Sequence, residues 1–325
     1  MAFAHAWIRL ADKEDISKGD KQAPRQKPKA VTKPPRDDDV VARWQKEYPM
    51  PQEADDTRAK AASLYHPPRS DWQGIAVALT VICTWALVYY HGVFQIELTG
   101  PQRSSWLDIG ITFALLEFLY TGLFITTHDA MHGTIAYRHR KLNAFLGHLA
   151  ITLYAWFDYG MLKRKHWEHH QHTGQPGVDP DFHTGNPGFL PWYFNFMKGY
   201  MSLNQLTKIS CWATVLHILG APFENLALYM LGAAVISAVR LFYFGTYLVH
   251  KPPNAHEVMS WQKSHSSNGP TWLSFAQCYC FGLHWEHHRW PYAPWWQLPV
   301  CRAIRQTFDA HQQAGAEAEE MASCQ

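Results

Sequence analysis

Four stretches of this chain are apolar for long enough, or nearly so, to cross a lipid bilayer, and this narrows its folds more than any other feature. A membrane-spanning helix needs about 20 apolar residues. Residues 74–94 and 107–127 meet that length, 142–162 form a third candidate of equal length, and 206–249 suffice for a helical hairpin bending near Pro222. Runs of this length argue against the core helices of a large soluble protein. Of the 325 residues, 15 are Trp and 20 are His. Trp and Tyr concentrate at membrane interfaces, which fits the same reading. A formal net charge of only +2 offers no field for nucleic acid.

Parity constrains the layout. Two spans return His128 to the face on which the chain began. If 142–162 also crossed, the histidines at 166–170 would lie on the opposite face. That stretch carries Asn143, His148 and Asp158, so it is expected to be an interfacial or re-entrant helix. The 206–249 hairpin then brings His250 back to the face of His128. Arg138, Arg140, Lys141, Lys163, Arg164, Lys165 and Lys251 fall on that face, against Arg103 alone on the other. This is the positive-inside bias. The expected fold is all-α and integral to the membrane, with about four transmembrane helices plus interfacial helices carrying a histidine-rich site. Residues 71–310 form the expected domain, 311–325 a C-terminal tail, and the polar, Pro-rich stretch 1–70 a flexible tail, whose basic residues are weighed as a targeting segment against its acidic residues and few Ser.

Three histidine clusters carry the chemistry: His128-Asp-Ala-Met-His132, His166-Trp-Glu-His169-His170 and His284-Trp-Glu-His287-His288. Positions i, i+3 and i+4 share one helical face, so each cluster aims two or three imidazoles at one point. At this His content an HxxHH window arises by chance about 2 times in 10,000, and two in one chain in well under ~1% of sequences. Neutral imidazole suits iron, copper, zinc and nickel. Eight imidazoles exceed the four that one tetrahedral zinc takes; two irons able to bind O₂ fit better, with His250 as a ninth ligand. His172 and His183 lie near enough to be weighed as ligands, whereas His91, His148 and His217 are expected to be structural. Asp129, Glu168, Asp179 and Glu286 are placed to orient the ligands through their second ring nitrogens, the competing reading being solvated surface charge. Glu117, within a span, is expected in a buried hydrogen-bonding role.

The six cysteines (Cys83, Cys211, Cys278, Cys280, Cys301, Cys324) show no CxxC spacing and are expected to be free thiols. No dinucleotide fingerprint, iron–sulfur spacing or c-type haem motif occurs, so electrons must come from a separate protein. Trp290, Tyr292, Trp295 and Trp296 are expected to anchor at the interface, or else to wall an apolar tunnel.

The three clusters resemble the histidine boxes of membrane desaturases and hydroxylases. The stretches from Phe124 to Gly133, from Asp179 to His183, from Phe242 to Tyr247 and from Leu283 to Arg289 resemble more specifically the β-carotene ketolases, and among them the green-algal type. The likeness runs from about Trp44 to Cys301. It implies an oxygenase that turns the C4 methylene of a β-ionone ring into a ketone, taking β-carotene to echinenone and canthaxanthin. It further implies two iron ions, O₂ as co-substrate, an external electron donor such as ferredoxin, and a plastid or other carotenoid-bearing membrane. A carotenoid hydroxylase partner would extend the route to astaxanthin. It also places His250 where relatives bind iron. Two departures stand out: Val249 where Pro is expected, and Cys280 where His is expected. The rival readings are a ring hydroxylase, an acyl-lipid desaturase, a membrane haem protein and a transporter.

Overall fold

The computed structural model describes residues 64–251 and 263–323. Among these the fold is helical, with one isolated antiparallel bridge, Ser266 to Leu283. Three helices are long and apolar enough to cross a membrane: α1 (Trp72–Gln95), α2 (Trp106–His132) and α7 (Phe223–His250). Leu79, Leu87, Leu107, Ile111, Leu115 and Ile236 stand exposed on them. Such an apolar surface is costly in water and natural in lipid. The chain is a membrane protein.

Between α2 and α7 lie α3 (Arg140–Ala155), α4 (Tyr159–His172), α5 (Phe189–Tyr200) and α6 (Leu203–Ile218). Gly133 closes α2 immediately after His132, at φ 75°. Glycine adopts that left-handed conformation without strain. The chain then folds back, and α3 descends along α2. Asn143 Nδ2 donates to Ala130 O at 2.7 Å, and further down the Tyr154 ring lies 5.7 Å from that of Tyr120. Ten residues of helix separate those two levels of α2, or about 15 Å of depth. A break at Trp156, φ 58°, turns the chain. The next helix, α4, rises again, with Asp158 accepting from the Met161 N–H at its start. The stretch 142–162 is thus a re-entrant pair rather than a crossing.

This pair explains the length of α6. Its 16 residues reach only about 24 Å, short of the ~30 Å hydrocarbon core. It begins at the deep end of the re-entrant pair, however, where Gln205 Nε2 donates to Ala155 O at 2.8 Å. It ends at the far surface. There Asn225 Nδ2 donates to Gly92, Val93 and Ile96 carbonyls at 2.8–3.2 Å, beside the α1–α2 loop. The expected hairpin therefore exists with one full arm and one short arm.

The remaining elements, α8 (Thr271–Cys278), α9 (His284–Arg289) and α10 (Leu298–Ser323), close over the inner ends of the spans. Glu117 of α2 pairs with Arg240 of α7 through two bonds of 2.6 and 2.7 Å, and Arg240 Nη1 donates to the Ala276 and Gln277 carbonyls of α8. This pair, buried at its Glu117 end, ties the two spans to the element that leads into α9.

Residues 1–63, most of the expected N-terminal tail, lie outside the described residues. Tyr65 is buried against Tyr292, at 5.7 Å between rings. The backbone of residues 311–323 continues the helix of α10.

Candidate metal centre

The histidines gather at the inner ends of the helices. His128 and His132 occupy the last turn of α2, His166, His169 and His170 one face of α4, His284, His287 and His288 the short helix α9, and His250 the end of α7. All nine are buried. They sort into two groups. In the first, ring nitrogens of His128, His132, His166 and His287 lie within 4.8 Å of one another, and in the second those of His169, His250, His284 and His288 do the same. His170 joins the first group, its Nε2 at 3.1 Å from that of His166 and 3.0 Å from that of His287. Other Nε2 pairs stand at 2.6–3.2 Å in the first group and 2.9–3.2 Å in the second. Imidazoles at about 2.1 Å from a metal ion place neighbouring nitrogens about 3 Å apart. The donor set therefore fits one ion per group.

Protonation supports this use. Burial, reinforced by the neighbouring imidazoles, pushes His166, His170, His284, His287 and His288 well below the ordinary histidine value. The neutral ring is the form that ligates metal. His169 differs. Burial opposes its charge, but Asp179 outweighs burial and lifts the value to about 8. His169 Nδ1–H donates to both Asp179 oxygens, at 2.9 and 3.0 Å. Asp179 is itself fixed by the Gly174 N–H at 2.7 Å and the Asp181 N–H at 2.9 Å. On the other side of the group, His250 Nδ1–H donates to Lys263 O at 2.9 Å. Each of these bonds commits the proton to Nδ1 and leaves the Nε2 lone pair for the centre.

The other carboxylates behave differently. Asp129 Oδ1 stands 3.5 Å from His128 Nδ1, and its Oδ2 accepts from the Trp295 N–H at 3.1 Å. Glu286 turns to Ser266 Oγ and to Arg305, 2.9 Å away. Glu168 is exposed; two residues past His166, it projects from the far side of the helix. The placement of Glu168 and Glu286 beside imidazoles in the sequence reading is corrected by these directions.

His172 and His183 fall outside both groups; His183 packs on Phe182 and Trp192. His91, His148 and His217 reach Asp108, Ala144 O and Ala221 O respectively. Cys280 sits with Tyr65, Trp167, Leu283 and Trp290 in an apolar cluster, where burial raises its thiol to about 11. That is core chemistry, so the position where a histidine is expected contributes no imidazole to either group. Val249 offers its carbonyl to the His265 N–H at 3.0 Å, which a proline there would leave possible. Trp290 and Tyr292 also belong to this core, and Trp295 packs on Phe275 and Tyr279. None of the three lines the cavity described next.

A cavity, partly open to the exterior, reaches both groups and touches His128, His166, His169 and His284. Its wall is otherwise largely apolar, with Phe124, Phe157, Phe196, Phe242 and Phe281 prominent. Gly245 lies in a π-helical turn of α7 (Tyr243–Tyr247), and a Cβ there would meet Phe281 Cδ1 at 2.6 Å. Its absence lets the Phe281 ring sit 4.6–5.5 Å from those of His128, His284 and His287. The cavity, Phe281 and the Lys263 carbonyl carried no signal in the sequence, because each depends on how distant segments pack.

The fatty acid desaturase family model matches residues 104–248 and 205–314. A zeaxanthin 4-ketolase from Chlamydomonas reinhardtii is 54% identical over 275 residues, covering 82% of this chain and 62% of that protein. A β-carotene 4-ketolase from Protosiphon botryoides is 54% identical over 286 residues, 82% of this chain and 73% of its own. A β-carotene ketolase from Haematococcus lacustris is 53% identical over 289 residues, 82% of this chain and 90% of its own. The chain thus spans a little under two thirds of the Chlamydomonas protein's length.

Proposed function

Because the chain belongs to the fatty acid desaturase family and, within it, to the β-carotene ketolases, we propose that it is an oxygenase that converts the C4 methylene of a β-ionone ring to a ketone. One observation carries this reading most directly: nine buried imidazoles converge as two metal-sized groups on an apolar cavity. The proposed ligands are His128, His132, His166, His170 and His287 for one iron, and His169, His250, His284 and His288 for the other. Bound iron would supply what no side chain here can, activation of O₂ to an oxidant that takes an allylic hydrogen and returns oxygen to carbon.

The chain's own residues do the rest. Asp179 and the Lys263 carbonyl hold His169 and His250 in the tautomer that faces the centre. The phenylalanine wall holds the ring against the imidazoles and keeps water away, which supplies orientation at low entropic cost. The reaction proceeds in two rounds. Ring CH₂, one O₂, two electrons and two protons give the secondary alcohol and water. The alcohol with a second O₂, two electrons and two protons then gives a geminal diol and a second water, and the diol loses water to leave the ketone. β-Carotene would yield echinenone and then canthaxanthin, and already hydroxylated rings would lead to astaxanthin in company with a carotenoid hydroxylase. The electrons are assigned to an external donor of the ferredoxin class and the site of action to a plastid or other carotenoid-bearing membrane. The oxygenase unit is assigned to residues 71–310, flanked by the 1–70 and 311–325 segments.

Chromatography of pigments from β-carotene-producing bacteria that express the chain tests the proposal. Echinenone and canthaxanthin are the expected products. An alcohol or an additional alkene as end product, with protein and iron present and an electron donor supplied, would replace it with ring hydroxylation or desaturation.

A further inference from the structure

Asp181 is out of place in the cavity described above. It lines the same wall as the phenylalanines, with its side chain only 14% exposed. A carboxylate in apolar surroundings is costly unless it is hydrogen-bonded. One oxygen is engaged: Tyr200, also on the cavity wall, donates its hydroxyl to Oδ1. The other, Oδ2, stands 4.0 Å from His169 Nδ1, beyond hydrogen-bond reach. The backbone on either side is pinned, Asp181 N–H to Asp179 at 2.9 Å and Trp192 Nε1–H to Asp181 O at 2.8 Å. Tyr200 is held in turn by Lys165, whose Nζ lies 4.5 Å from the centre of its ring and donates to Gly199 O at 2.5 Å. This is a fixed hydrogen-bond acceptor at the edge of the metal centre, in a cavity whose first proposed substrate, β-carotene, is a hydrocarbon with no donor to offer.

The proposed reaction creates a donor at that place. After the first round the ring carries a hydroxyl on the carbon facing the imidazoles, and the ketone forms only if this alcohol stays for a second round. We propose that Asp181, positioned by Tyr200, accepts a hydrogen bond from the hydroxyl of the alcohol intermediate, retaining it and keeping its remaining C–H toward the metal centre. Asp181 acts by binding alone: it takes no electrons and forms no bond to carbon. The inference rests on the ketolase reading and explains how that site stops at the ketone and not at the alcohol.

Two measurements on the full-length iron-loaded protein test it. In turnover with β-carotene, D181A is expected to raise the ratio of released alcohol to ketone about tenfold or more, the worth of a hydrogen bond to a charged group. Consumption of β-carotene is expected to fall much less, and D181N, which keeps an acceptor, to restore part of the ketone. A D181A ratio equal to that of the native chain overturns the proposal. Should D181A fail to accumulate, Y200F, which removes one hydroxyl, is read the same way with a smaller expected rise, and an unchanged ratio is again fatal. The second measurement needs no turnover. Without an electron donor, quenching of tryptophan fluorescence by β-carotene and by its ring alcohol gives their relative binding. The native chain is expected to favour the alcohol and D181A to lose that preference. A native chain with no preference overturns the inference. A native chain that shows the preference but yields no ketone overturns the ketolase reading and leaves the acceptor standing.

Discussion

The two imidazole groups are built by different means. The first is assembled by helices: the last turn of α2, one face of α4 and the short helix α9 supply all five rings. These lock one another edge to face, with Trp167 packed 4.8 Å from His132. The second is also carried on helix residues, His169 on α4, His250 at the end of α7 and His284 and His288 on α9, but two of its rings are aimed from loops. His169 is aimed by Asp179 from the segment after α4, and His250 by the carbonyl of Lys263, thirteen residues further along the chain. Helix-held rings are placed by the same packing that makes the fold. Rings aimed from loops depend on hydrogen bonds to those loops, and the one to the Asp179 side chain can be removed by a single substitution. The second group should therefore be the softer of the two, the first to lose its ion and the more adjustable in its properties.

The hardest blow to this contrast would fall on His287, whose Nε2 touches those of both His128 and His170. His287→Ala is expected to abolish ketone formation and to lower iron toward one per chain by metal analysis. A fully active variant would end the assignment of this group. Next comes Asp179→Asn. Loss of such an orienting partner costs about 10–100-fold in metal affinity or activity, and a chelator should strip one iron from it much faster than the other. Asp129→Asn, at the longer 3.5 Å contact, should show a several-fold smaller loss; equal losses would erase the distinction between the groups. Gly245→Ala adds a methyl where Phe281 Cδ1 lies 2.6 Å away. Overpacking of this kind costs about 1–3 kcal/mol, and because Phe281 borders rings of both groups, slower turnover should accompany a lower melting temperature. The smallest effect belongs to Cys280→Ala. Iron content by metal analysis should stay that of the native chain, since the thiol sits in the apolar core.

Much of this was legible in the sequence because two periodicities dominate it. Runs of about 20 apolar residues announced α1 and α2, and i, i+3, i+4 spacing announced which imidazoles share a face. Parity, together with Asn143, His148 and Asp158 inside the stretch, argued that 142–162 does not cross. What stayed hidden depends on contacts between distant segments. The shortness of α6 follows from where Ala155 ends its descent, the idle direction of Glu168 from which side of α4 meets the centre, and the role of Asp181 from Tyr200, nineteen residues away. Glu286 looked equivalent to Asp179 beside a histidine box, yet Arg305 claims it. Local spacing places ligands, whereas the charge balance of an interior is decided by whichever partner folds over it.

The π-helical turn of Tyr243–Tyr247 has a consequence for descent with modification. Upstream, Arg240 is clamped to Glu117, and downstream His250 meets His284 Nε2 at 2.9 Å. Between two fixed anchors the number of residues is itself part of the site. Deleting one would turn everything after it by about 100° and carry His250 away from its group. Lineages can therefore vary the letters of this segment, Gly245 excepted, while its length stays frozen, and an alignment gap opening here is expected to mark a chain that has given up the second metal.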